Sequence, residues 1–338
     1  MKMKSPITGG EVILKREMRT MDFRKEQFNV MFQYYLCKDT GEQFTNDELD
    51  KVNTNQVYNQ YRTKYGIPFP DEIIAIREQY GLSASKMSEI LGMGINLYRN
   101  YESGEVPSVS NGRLIQMVRD PQEFRKLIDF SKNEFTVDEL EKINKKINHA
   151  IDRRCEWDNH YEHIMLGEKR PNLFNGYKAP NLEKINNMIL FFAEKVEPFK
   201  TKMNKLLFYA DFFHFKNTCF SISGLTYQAI QKGPVPKNYD WIFDNAMEKR
   251  IITIELHDYG MYMGEQFKVT GQVGFDETLF SVSELKAMET VATYFEKITV
   301  NGIVNKSHEE IAWQNNAEEF NSINYNYGFD LKYPEVMN

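Results

Sequence analysis

Asn96, Arg99 and Asn100 fall within one and a half turns of a helix, so a helical backbone would bring all three to one side. Arg and Asn can each place two hydrogen bonds on a single base edge, and Arg can also hold a phosphate. Those side chains on a short exposed helix suit the major groove of duplex DNA. On an ordinary helical hairpin, the same three residues would be a solvated face and nothing more.

The surrounding residues supply the elements that such a reader needs. Residues 82–104 read as two short helices joined by a tight turn. Ser83 can cap the first, Met87, Ile90 and Leu91 form its apolar stripe, and Gly92 stops it where a left-handed residue is required. The second helix is expected to bury Leu97 and Tyr101. A proline-led helix over Pro70–Tyr80 precedes the pair, and helices over Ser110–Val118 and Pro121–Asp129 follow it. In its spacing of Leu82, Met87, Gly92, Ile95, Tyr98, Tyr101, Glu102 and Gly104, this stretch resembles the Cro/repressor-type helix-turn-helix family over about residues 70–130. The resemblance implies base readers at Ile95, Asn96 and Asn100 and phosphate contacts at Ser83, Ser85 and Arg99, with operator double-stranded DNA as partner. Charge opposes strong binding: Asp71 to Phe130 holds seven Lys or Arg against nine Asp or Glu. Recognition would therefore be local, and a homodimer would double the contacts.

A second constellation lies at the start of the chain. Ser5-Pro-Ile-Thr8-Gly-Gly and Cys37-Lys-Asp-Thr40-Gly are two pairs with the spacing of a Cys-x-x-Cys knuckle, each followed by glycine. They resemble the zinc ribbon of two-domain antitoxins related to the motility-regulator antitoxin. Three of the four thiolates are replaced here by hydroxyls, which cannot substitute for them, so no zinc is expected. Between the pairs, Glu11–Leu36 alternates as three short antiparallel strands would, and Thr45-Asn-Asp-Glu48 spells a capping box opening a helix to about Tyr65.

Further along, Val137, Leu140, Ile143, Ile147 and Ile151 make a narrow apolar seam on a charged helix over Thr136–Ile164. That seam could pair two chains or pack on its own domain. Asn181–Glu194 and Thr201–Lys216 read as helices, the second apolar nearly all round apart from Lys205, Asp211 and His214. Ile222–Ile230 reads as a strand and Gly233-Pro234-Val235-Pro236 as a rigid turn. Strands over Arg250–Leu256 and Glu265–Val273 and helices over Phe280–Ile298 and Ser307–Trp313 would follow. The order Lys205-Leu-Leu-Phe-Tyr209-Ala-Asp211, Ser223-Gly-Leu-Thr-Tyr227, Gly233-Pro-Val-Pro236 is similar to the Panacea antitoxin domain over about residues 185–325. The resemblance implies a cognate protein toxin as partner. Lys205, Tyr209, Asp211, Tyr227, Gly233, Pro234, Val235 and Pro236 are the candidates for shaping the toxin surface, and buried structural roles for Tyr209 and Asp211 are the plainer alternative.

The expected fold is α+β, mostly α. It comprises a small N-terminal β-ribbon (residues 1–45), a Cro/repressor-type helix-turn-helix bundle with a leading helix (46–132), a helical linker (133–180) and a mainly helical Panacea-like domain with a small β-sheet (181–338). With 338 residues and a net charge of −6, the chain fits a cytoplasmic protein of several domains. No stretch approaches the ~20 apolar residues of a membrane span, and the first residues do not form a signal peptide. Cys37, Cys155 and Cys219 form no disulfide framework.

An enzyme would need a constellation that is not found. Lys205 and Tyr209 align at i, i+4, whereas Asp211 and His214 point elsewhere, and His160 and His163 sit three apart on a charged helix. There is no phosphate-binding glycine loop and no Gly-x-Ser-x-Gly elbow, so neither catalysis nor a cofactor is expected. The resemblances imply an antitoxin that neutralises a toxin through its second half and autoregulates its operon through the first. The rivals are a ligand-sensing transcriptional repressor and a proteolytic adaptor for a bound toxin.

Overall fold

Alternating burial along residues 12–37 builds one long hairpin where three short strands are expected. Strand β1 (Val12–Phe23) pairs with β2 (Glu26–Cys37) along its whole length, from Val12↔Cys37 to Phe23↔Glu26. The cause is the tip: Arg24 and Lys25 both adopt left-handed backbone (φ 48° and 68°), making the two-residue turn that matches strand twist. A two-residue strand, β3 (Gln43–Phe44), adds to the far side of β2. Beyond it, helix α1 (Asp47–Tyr65) completes the edge with side-chain amides. Asn53 exchanges hydrogen bonds of 2.8 and 2.9 Å with the main chain of Gln33, and Gln56 does the same with Met31 at 2.8 and 3.0 Å. The cap of α1 is Asn46, whose side chain accepts from Leu49 N at 3.0 Å, one residue later than the expected Thr45.

The structure is a computed structural model describing residues 3–153, 164–167, 170–260 and 263–334. Cys155, His160, His163 and the end of the expected 136–164 helix lie outside the described residues. The fold is mixed α/β, about half helical, and its described strands form three small antiparallel sheets. The chain divides into two compact units, Met1–Gln56 with Glu162–Asn338 and Val57–Tyr161. The ribbon, expected as a module of its own, therefore shares a unit with the second half. The Asn55 side chain donates to Thr218 O at 3.1 Å, and the buried Cys219 thiol donates to Val52 O at 3.3 Å.

The Val57–Tyr161 unit stacks α2 (Pro70–Glu78), α3 (Ala84–Ile90), α4 (Leu97–Glu102), α5 (Val109–Met117), α6 (Pro121–Phe130) and α7 (Val137–Arg153). Ile73, Ile76, Met87, Ile90, Tyr98, Tyr101, Ile115 and Phe124 form its core. Ile143, Ile147 and Ala150 of α7 join that same core. Of the seam, Ile143 and Ile147 are buried within the unit and Leu140 and Ile151 pack against its core, while Val137 stays 80 % exposed. Tyr98, not Leu97, is buried beside Tyr101, because α4 starts at Leu97 and turns that residue toward the rim.

In the other unit, α8 (Leu182–Val196) and α9 (Lys200–Thr218) form the centre. Met203, Leu206, Leu207, Phe208, Phe212 and Phe215 of α9 are all buried. Strand β4 (Tyr227–Ile230) lies between β5 (Gly233–Pro236) and β8 (Ser322–Ile323). Gly233–Pro236, expected as a rigid turn, is this edge strand, paired from Tyr227↔Pro236 to Ile230↔Gly233. An edge position tolerates prolines because no donor is required on the outer side. Then come α10 (Tyr239–Glu248), the hairpin β6 (Ile252–Asp258) and β7 (Met263–Val269), α11 (Val282–Phe295), α12 (Val300–Glu309) and α13 (Ile311–Gln314). The last two replace the single helix expected over Ser307–Trp313, because Glu310 takes extended backbone (φ −71°, ψ 131°) between them.

Candidate nucleic-acid interface and buried polar centre

Helix α4 is held by contacts that leave its outer face free. The buried Ser88 hydroxyl accepts from Tyr98 N at 3.0 Å, and the Tyr98 hydroxyl donates to Ile73 O at 2.8 Å. Arg77 pairs with Glu102 at 2.5 Å and also donates to Leu82 O at 3.0 Å, tying α2 to both ends of the motif. At the exit, the fully buried Arg62 donates to Gly104 O at 2.7 Å. The expected Ser83 cap is present, with Lys86 N donating to Ser83 Oγ at 3.1 Å, and Gly92 is left-handed at φ 63°. Asn96, Arg99 and Asn100 are exposed, as is Ser83, and Ile95 is 70 % exposed. Ser83, Ser85 and Ile95 line one depression together with Lys86, Glu89 and Met93. Three of the six anticipated positions thus share that depression, and Asn96, Arg99 and Asn100 are exposed beside it in sequence.

The seven cations of this stretch are not equivalent. Arg77, Lys86, Arg119 and Lys126 are in ion pairs, and Arg125 is hydrogen-bonded to Asn148. Arg99 and Arg113 are exposed and, among the described residues, in no ion pair. Sequence reading missed the positioning roles of Arg62, Arg77 and Ser88 and the availability of Arg113. A charge count weighs every cation alike and cannot find them.

The knuckle positions at the ribbon's end still converge. Cys37 is buried, and hydrogen bonding with the Ser5, Thr40 and Thr8 side chains brings its thiol below the ordinary range, to about 6. Thr8 Oγ1 lies 3.5 Å from the sulfur. One thiol among neutral hydroxyls does not suit zinc.

All eight residues anticipated for toxin contact lie in the interior. Asp211 is saturated: its Oδ1 accepts from Ile222 N (2.7 Å) and Ser223 N (2.8 Å), and its Oδ2 from the Ser223 hydroxyl and the Tyr227 hydroxyl (2.7 Å). Asp211 and Tyr227 thus clamp the 221–225 loop onto α9. Burial pushes the Lys205 ammonium down to about 7, helped by nearby Lys232, and its Nζ donates to Pro234 O at 2.9 Å. Gly233 is left-handed at φ 96°, and a Cβ there would meet Lys205 Cε at 2.7 Å. The Tyr209 hydroxyl is buried beside the Glu310 carboxyl but outside hydrogen-bonding geometry. Burial on every side gives Tyr209 and Asp211 the structural setting that is the plainer alternative to toxin contact.

Nearby, Glu284 of α11 receives Lys178 at 2.9 Å and Lys184 at 2.7 Å. Burial alone would raise its carboxyl, but the two ammonium groups bring it down to about 2. His214 Nδ1 donates to Phe220 O (2.7 Å), which leaves Nε2 to accept from the Ser283 hydroxyl (3.1 Å), and burial lowers its imidazole to about 4.

Residues 203–314 match the family model of the antitoxin SocA-like Panacea domain. The chain carries an antitoxin-like Panacea domain. The match runs from within α9 to the end of α13, includes all eight of the buried residues above, and is narrower than the 185–325 span of the resemblance. No curated protein matches the chain. None of the described helices is long and apolar enough to cross a membrane.

Proposed function

We propose that this chain is the antitoxin of a type II toxin–antitoxin system, working in the cytoplasm without catalysis or cofactor. The unit that carries the Panacea domain binds and neutralises a cognate protein toxin. The α2–α6 bundle binds operator double-stranded DNA and autoregulates the operon. The observation carrying the toxin part is the Panacea match over residues 203–314. The DNA part is supported by Asn96, Arg99 and Asn100 standing exposed on a helix braced from behind, with two unpaired arginines to take phosphates.

Co-expression with the product of the adjacent open reading frame tests the first part. The neighbour alone should arrest growth, and this chain should restore it. Operator binding tests the second, with Arg99→Ala lowering affinity for the promoter fragment while rescue is kept. An unaltered promoter affinity in Arg99→Ala and Asn96→Ala together would remove the recognition-helix assignment.

A further inference from the structure

Helix α7 buries Ile143, Ile147 and Ala150, and the two flanks of that stripe meet different partners. On one flank, the Asn148 side chain accepts from the Arg125 guanidinium of α6. On the other, Glu139 Oε1 lies 3.4 Å from Lys86 Nζ, and Lys146 Nζ donates to Gly81 O at 2.9 Å. Lys86 also sits 4.5 Å from the Phe135 ring centroid and lines the depression that holds Ser83, Ser85 and Ile95. This second flank of α7 therefore borders the start of α3. Lys142 shares it, three residues after Glu139 and four before Lys146, the spacing of neighbours on a helix face. Lys142 and Lys146 are exposed and, among the described residues, in no ion pair. Lys145 is exposed too, but midway between the buried Ile143 and Ile147 it stands on the side opposite the core. Between Asp71 and Phe130, by contrast, nine acids outnumber seven bases, and Arg99 and Arg113 are the exposed bases in no ion pair among the described residues. A duplex is held chiefly through its phosphates, so a reader on this bundle needs cations from outside it.

We propose that the Lys142–Lys146 flank of α7 is a second edge of the DNA interface, holding phosphates of the duplex backbone beside the α3–α4 pair. The proposal rests on the DNA-binding reading and supplies the positive charge that the bundle itself lacks. Lysine ammonium groups act on phosphates as point charges, so this edge adds grip without choosing a sequence. Choice of sequence stays with the exposed residues at the start of α4.

The experiment is a salt titration of the full chain against two labelled duplexes of equal length, its own promoter fragment and an unrelated sequence. The double variant Lys142→Gln, Lys146→Gln should weaken both duplexes by the same factor and keep the preference for the promoter. Its slope of log affinity against log salt should be shallower by about 1.8, at ~0.9 for each phosphate given up. Lys145→Gln should leave affinity and slope as they are. A double variant with the slope of the unaltered chain overturns the proposal, and so does a loss in Lys145→Gln equal to that of Lys142→Gln. Should Lys146→Gln lower the melting temperature by releasing Gly81 O, Lys142→Gln alone decides: a slope change of about 0.9 supports the edge, and no change overturns it. An unchanged slope, with promoter preference still lost in Asn96→Ala, refutes the α7 edge and leaves the DNA-binding reading standing. An unaltered chain that binds neither duplex refutes that reading and the edge with it.

Discussion

Two polar triplets, Asn96–Arg99–Asn100 at the cap and first turn of α4 and Lys205–Tyr209–Asp211 on α9, read similarly in sequence and have opposite fates. The first faces solvent from a six-residue helix whose inner side is fixed by Tyr98 and Tyr101. The second is enclosed by β5, α11 and α12, and Asp211 has its acceptors filled. What separates them is the helix around each. A helix with one apolar stripe must leave its other residues outside, whereas one apolar on nearly every side takes its polar residues inside with it. An open triplet can recognise a partner; an enclosed one sets the shape of the fold.

Removing the most connected of the enclosed residues, Asp211, should have the largest effect. Asp211→Ala strands two main-chain N–H groups and two hydroxyls in the interior, a loss of at least about 3 kcal/mol, and the melting temperature should fall by roughly 6–12 °C. An unchanged melting curve would mean that Asp211 is not the clamp described here.

Acid should come next. His214 is lowered to about 4 by burial, so it favours the neutral form in the folded state. Its contribution is present above the unfolded value near ~6.5 and is lost as pH falls through about 4, on the order of 3 kcal/mol in total. Glu284, at about 2, is also depressed, and its share is lost lower still, from the unfolded value near ~4.3 down through about 2. Thermal melts from pH 7 to 3 should show the earlier loss, and His214→Gln should flatten it while leaving the later one.

The open triplet should show the reverse pattern. Arg99→Ala should weaken operator binding by roughly tenfold to hundredfold, worth about 1–3 kcal/mol, with no shift in melting temperature. Arg113→Ala should weaken it less and equally for all sequences, lowering the salt dependence by about one phosphate contact. The smallest effect belongs to Lys205→Met. Replacing a buried ammonium that makes no ion pair among the described residues by an apolar side chain of similar length should leave melting unchanged or raised, with rescue intact. Loss of rescue at unchanged stability would instead give Lys205 a functional role.

These contrasts show how much was legible beforehand. The α3–α4 pair, its Ser83 cap and Gly92 stop and the α8–α9 centre could be read from local spacing, and the Panacea order of residues from a family resemblance. The long ribbon hairpin could not, because its turn is Arg24-Lys25 and carries none of the Gly or Asn that usually marks left-handed backbone. Gly233–Pro236 looked like a turn because two prolines hide an edge strand from any propensity argument. Sharing of one unit by the ribbon and the second half depends on contacts such as Cys219 with Val52, 167 residues apart, which no local pattern encodes. The contact of Lys146 with Gly81 was missed for the same reason, since it depends on how the chain folds back.

The central claim, neutralisation of a protein toxin by the Panacea-containing unit, is tested most directly by co-purification with the adjacent gene product, in the unaltered chain and in Arg99→Ala. A stoichiometric complex in both, together with restored growth in both, is expected. A neighbour that arrests growth, is not rescued by the chain and elutes separately from it would contradict the claim.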